Sequence, residues 1–204
     1  MAEFNPIGDA GYTLVSLLRD GMGELEVSER QVALVSPDQY DGDGVGLSLY
    51  LYHVDRYAHL ANEGRGDLDV ATGEGSPLVL ELYYLLTAHP PESDASSTSD
   101  TMAQHRLLSE AIRILEENAL VSGPDLKGSL AGRDGLQVSI GRQSPEHLVD
   151  LWSAFPDTAH LPSVSYVVTP VAIETAPREA ADRVTEVRVD QYAEAGRPEA
   201  ESER

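Results

Sequence analysis

Two stretches with a period of two dominate the chain. In Val45-Gly-Leu-Ser-Leu-Tyr-Leu-Tyr-His-Val54, Leu47, Leu49, Leu51 and His53 fall on one side, with Ser48, Tyr50, Tyr52 and Val54 on the other. In Pro77-Leu-Val-Leu-Glu-Leu-Tyr-Tyr-Leu-Leu-Thr-Ala88, Leu78, Leu80, Leu82, Tyr84 and Leu86 alternate with Val79, Glu81, Tyr83 and Leu85. Alternation of this kind, rich in aromatic and aliphatic side chains, predicts two core strands. Both sides of the second stretch are largely apolar, so both sheet faces are candidates for cover. A carboxylate is expensive to bury unpaired, so Glu81 either faces solvent or meets a partner.

Weaker patterns fill in the rest. Tyr12, Leu14, Val15, Leu17 and Leu18 have helical spacing between Gly11 and Gly21, with Asp9 as candidate N-cap. Gln31 to Pro37 predicts a strand ended by its proline. From Thr101 a long helix is expected, with Met102, Leu107, Leu108, Ala111, Ile112, Ile114, Leu115 and Leu120 as its apolar positions and Asp100 or Thr101 as its cap. Leu136 to Gly141 predicts a short strand. Ser144-Pro145-Glu146 opens a third helix with Leu148, Leu151, Trp152 and Phe155 on one side. Ser163 to Ile173 predicts a third strong strand, in which Pro170 demands an edge or a bulge. Val184 to Tyr192 alternates again. The mixture of hairpins and helices predicts an α+β domain: a mainly antiparallel mixed sheet with helices packed on one face. The domain body is placed at residues 1–175, followed by a terminal strand or extension at 176–192 and an acidic tail at 193–204.

Charge changes the picture. The 204 residues carry 35 acidic and 14 basic side chains, a formal charge of -21. Lys127 is the sole lysine. A lysine-poor acidic surface suits a halophile, because at molar salt the screening length falls to about 3 Å and self-repulsion is silenced. A duplex-binding protein needs clustered Lys or Arg, and an anionic membrane surface demands the same. Neither nucleic acid nor membrane is therefore an expected partner. The chain contains no cysteine. It has no apolar run near the roughly 20 residues of a membrane span, and its first residues lack the pattern of a signal peptide. Cytoplasmic production is expected.

Candidate chemistry is sparse. His53, Asp55 and His59 form a local grouping of possible metal ligands, but a strand residue followed by a loop residue fits no zinc spacing. His89, His105, His147 and His160 are isolated and expected at the surface or in caps. Gly42-Asp-Gly-Val-Gly46 leads into a strand, whereas a phosphate loop opens a helix. No catalytic residue, cofactor or metal is assigned, and the protein is not expected to be an enzyme. The terminal strand is the candidate interface, through Val184, Val187, Val189 and Tyr192: it completes its own sheet or pairs with a neighbouring chain.

Several segments together resemble the tail-terminator, or cap, proteins of extracellular phage-tail-like contractile injection systems. They are Leu14 to Leu18, Val35-Ser-Pro37, Leu47 to Val54, Pro77 to Ala88, Gln104 to Leu120, Leu148 to Phe155 and Leu161-Pro-Ser-Val-Ser-Tyr166. The most specific pieces are Leu-x-Tyr-Tyr-Leu-Leu-Thr-Ala and Leu-Trp followed by Pro-Ser-x-x-Tyr. The resemblance implies a non-catalytic ring of identical subunits, a hexamer. That ring would end the inner tube and hold the distal sheath layer, with tube and sheath proteins as partners. It also implies cytoplasmic assembly into a particle that is released outside the cell. The competing readings are a soluble adaptor that binds through the terminal strand, and a metal-dependent hydrolase using His53, Asp55 and His59.

Overall fold

A computed structural model of the chain describes residues 4–23, 31–41, 45–57, 77–91 and 97–174. Helix α1 spans Pro6–Gly21. It begins ahead of the expected Gly11, because Asn5 is its N-cap and Pro6 its first residue. The Asn5 Oδ1 accepts from the Gly8 N–H at 3.1 Å, and proline at this position sacrifices no helical hydrogen bond. Asp9 therefore does not cap the helix. Its carboxylate accepts from the Ser129 backbone N–H at 2.8 Å and hydroxyl at 2.6 Å, which ties α1 to a distant turn. That turn comes so close that a Cβ on Gly128, at φ +58°, would strike the Asp9 carboxylate.

Strand β1 is Val32–Ala33, much shorter than the expected 31–37. The guanidinium of Arg19 donates to the Val32 carbonyl at 2.8 Å, and Pro37 opens a single 3-10 turn, Pro37–Gln39. Strand β2 is Gly46–Arg56 and β3 is Leu78–His89. Helix α2, Thr98–Glu117, is capped by Ser97 and not by Asp100 or Thr101. Ser97 and Asp100 bond reciprocally as a capping box, which satisfies two first-turn donors. Strand β4 is Leu120–Val121, so Leu120 belongs to a strand and not to the helix. Strand β5, Leu136–Ile140, helix α3, Pro145–Trp152, and strand β6, Ser163–Ile173, complete the order. The expected Ser144 cap on α3 is present, its hydroxyl accepting from the His147 N–H at 3.2 Å.

The six strands form one sheet in the order β1-β2-β3-β6-β5-β4. The β1–β2 pair is parallel and the others are antiparallel. This is the expected α+β architecture with a mainly antiparallel mixed sheet. Pro170 meets its constraint through a bulge. Leu80 pairs with Val171 and Leu82 with Val168, so Thr169 and Pro170 together oppose Glu81. An unpaired residue at a bulge needs no ladder N–H, which proline lacks.

The two long helices share one face. Leu14 and Leu18 of α1, and Leu107, Ala111, Ile114 and Leu115 of α2, pack on Leu47, Leu49, Leu82, Tyr84, Leu86, Val138, Tyr166 and Val168. Burial of each such aliphatic side chain contributes roughly 1.5–3 kcal/mol. The short α3 lies on the opposite face, where Trp152 and Phe155 enclose Leu85 beside Tyr50 and Tyr52. The apolar second side of β3 accounts for this cover: Leu85 would otherwise stand in water. The expected terminal strand, Val184 to Tyr192, and the acidic tail lie outside the described residues.

Candidate functional site

The α3 face of the sheet is aromatic at its centre and acidic at its rim. Tyr50 meets Phe155 edge-on, ring centroids 5.7 Å apart. The Tyr52 hydroxyl is 2.9 Å from the Ser165 hydroxyl, and its ring lies 6.2 Å from Tyr83. Tyr50 and Tyr52 are thus held largely as packing groups. Glu81 is neither buried alone nor free: the Tyr83 hydroxyl donates to its Oε2 at 2.9 Å. Asp55 stands opposite Glu81 in the β2–β3 register. Burial, then the hydrogen bond to Glu81 and the charges of Glu81 and Asp55, pushes the Tyr83 phenol up to about 12. The rim is therefore a site of negative potential. His53, exposed, flanks it with its ring 5.3 Å from Tyr83.

His89 is not at the surface, contrary to expectation. It is 6% exposed, its Nε2 lies 2.8 Å from the Ser48 hydroxyl, and Tyr40 stacks on it with centroids 4.1 Å apart. Gly46 makes room for Tyr40, since a Cβ there would collide with the tyrosine hydroxyl. Burial pushes the imidazole down to about 4, so it is neutral at ordinary pH. The Ser48–His89 spacing matches that of a nucleophile and its base. Ser48, however, is 0% exposed, with the Tyr40 ring stacked over the imidazole. The geometry gives a buried polar clasp between strand ends. Sequence reasoning missed it because its three members come from separate segments. The available signal was the register that brings Ser48 beside Thr87 and Gly46 beside His89.

The proposed metal grouping is not assembled by the described residues. His53 and Asp55 both sit on β2, while His59 lies outside the described set. Among the described residues no three His, Asp or Glu side chains converge as metal ligands. Val184, Val187, Val189 and Tyr192 likewise lie outside it. The described surface also carries exposed apolar side chains. Tyr12 and Leu34 are 54% and 43% exposed, and the Leu34 side chain lies against Gly11. Leu120 and Val149 are 71% and 60% exposed.

These features define an α+β module: one six-stranded mixed sheet with an apolar cluster on each face. The chain belongs to the Pvc16 N-terminal domain family, whose pattern matches residues 9–186. No curated protein matches it. Among solved structures, it is similar to the sheath/tube terminator of PVC, an extracellular contractile injection system, in the extended state. The identity is 20% and the TM-score 0.56, over 92% of this chain and 64% of that one. It also resembles the tube-terminating cap of the anti-feeding prophage at 16% identity and a TM-score of 0.45, over 86% of this chain and 60% of that one. The chain thus spans less than two thirds of either protein. The resemblance read from the sequence, to terminators and caps of contractile injection systems, agrees with the family and with the fold.

Proposed function

We propose that this protein is a non-catalytic terminator of a contractile injection system. Copies of it form a ring, a hexamer, that ends the inner tube and holds the distal sheath layer. Its partners are itself, the tube protein and the sheath protein, and it assembles in the cytoplasm into a particle released from the cell. The body ends near residue 175, and the extension at 176–192 and tail at 193–204 are appended to it. The observation that carries this reading is the family match across residues 9–186, supported by a fold shared with a sheath/tube terminator. Exposed surface ion pairs contribute about 0–1 kcal/mol, so the ring depends on apolar and backbone contacts.

The test is co-assembly. Light scattering on the purified chain in molar salt should give a hexamer mass. Electron microscopy of tubes grown with it should show shorter tubes with density at one end. A monomer that leaves tube length unchanged overturns the reading. With a charge of -21, dilution from molar to about 0.1 M salt lengthens screening from about 3 to 10 Å and should lower the melting temperature. An unchanged melting temperature would remove the halophile reading alone.

A further inference from the structure

Among the described residues, the outer edge of β2 is open beyond β1. On that side β1 covers Leu47 and Ser48, while β3 pairs with β2 on the other side from Gly46 to Arg56. Among the described residues, no strand pairs with the outer edge from Leu49 to Arg56. Free edges recruit strands.

This edge has two unmet requirements. On the acidic face, Asp55 is in register with Glu81, and like charges directly opposite each other are destabilising. The ion pairs among the described residues join Arg113 to Glu110 and Glu117, and Arg133 to Glu174; none reaches Asp55 or Glu81. On the helix-packed face, Val54 is in register with buried Leu82, yet it is 39% exposed. Among the described residues, the edge therefore lacks a cation on one face and an apolar neighbour on the other.

The stretch Val184-Thr-Glu-Val-Arg-Val-Asp-Gln-Tyr192 carries both in alternation. Val187 and Val189 share one side, and Glu186, Arg188 and Asp190 the other. Laid antiparallel to β2, one register sets Val189 against Val54, Arg188 against Asp55 and Asp190 against His53. A slip of two residues puts Glu186 or Asp190 against Asp55. A slip of one turns both valines to the wrong face.

Chain direction and reach fit the same arrangement. Strands β2 and β6 both run antiparallel to β3, and Ile173 lies at the Arg56 end of the sheet. A segment returning from that end runs antiparallel to β2. Moving from β6 past β3 and β2 to the open edge covers three strand spacings, roughly 14 Å. The ten peptide steps from Glu174 to Val184 span up to about 33 Å.

We propose that residues 184–192 of the same chain add to the outer edge of β2 as an antiparallel strand, with Arg188 beside Asp55 and Val189 beside Val54. The added strand blunts the edge against pairing between particles, so contacts between subunits fall to faces and loops. It also delivers the acidic tail to the β1 end of the sheet.

The chain has no cysteine, so pairs introduced into the full-length protein report cleanly. Val54→Cys with Val189→Cys, oxidised and mapped by peptide mass spectrometry, should form an intrachain disulfide in most molecules. Val54→Cys with Arg188→Cys, whose side chains would face opposite ways, should yield at least tenfold less. Equal yields, no bond, or a bond formed solely between chains overturns the proposal. Hydrogen exchange supplies an independent measure. Arg188→Asp should speed exchange of the Leu51–Arg56 amides about tenfold, and adding Asp55→Arg should restore protection. Equal rates in all three proteins overturn it as well.

Discussion

The buried imidazole of His89 makes folding stability depend on pH over a defined window. Burial alone pushes its pKa from 6.5 to about 4 in the folded chain. As pH falls, the unfolded chain takes the proton first, so stability is complete above about pH 6.5 and is lost progressively down to about pH 4. The gap between the two values corresponds to about 3 kcal/mol. Between about pH 7.5 and 4.5 the expected loss is about 2.5 kcal/mol, a large share of a typical domain's stability. The comparison protein is His89→Phe with Ser48→Ala. It keeps a ring on Tyr40 and removes both members of the 2.8 Å hydrogen bond, an exchange that is nearly neutral when neither partner is stranded. Urea unfolding at fixed salt, followed by Trp152 fluorescence and circular dichroism, gives the stability of each protein at each pH. Acid losses from carboxylates occur in both and cancel in the difference. The wild-type chain should lose about 2.5 kcal/mol more than the double variant across that range. Equal slopes, or an imidazole that titrates near 6.5 by NMR, would refute the reasoning.

Three further perturbations probe the packing. Leu85, 0% exposed between Trp152 and Phe155, should cost about 2–5 kcal/mol as Leu85→Ala; a loss below about 1 kcal/mol in urea unfolding would mean that α3 does not build a core on its face. Gly46→Ala forces a Cβ into the Tyr40 hydroxyl and should cost about 1–3 kcal/mol. Combining it with Tyr40→Leu should be less damaging than the two single losses added together, and strict additivity would count against the collision. Ser97→Ala opens the capping box of α2 and should lower stability by about 1 kcal/mol, read as a drop in melting temperature; no change would show that the box is dispensable.

What the sequence made legible depended on whether the determining contacts were local. Strands β2, β3 and β6 follow from alternation within each segment, and α3 from Ser144-Pro145 ahead of its apolar positions. The starts of α1 and α2 were misplaced, although Asn5-Pro6 and Ser97 with Asp100 are local signals. In each case the cap lies ahead of the first apolar residue, in a stretch that reads as loop. β1 is confined to two residues, and the contact that holds it to α1, Arg19 to the Val32 carbonyl, comes from another element. His89 could not be placed at all without the register, since its partner Ser48 is 41 residues away. The same division governs the candidate surfaces. The valine and charge alternation of 184–192 is local and visible, but a strand's partner is set by an open edge, and that edge emerges once β2 is known to have β1 over just two of its residues. The Asp55–Glu81 juxtaposition has the same origin: neither carboxylate is unusual in its own segment, and together they create a demand for positive charge that Arg188 meets in the proposed pairing.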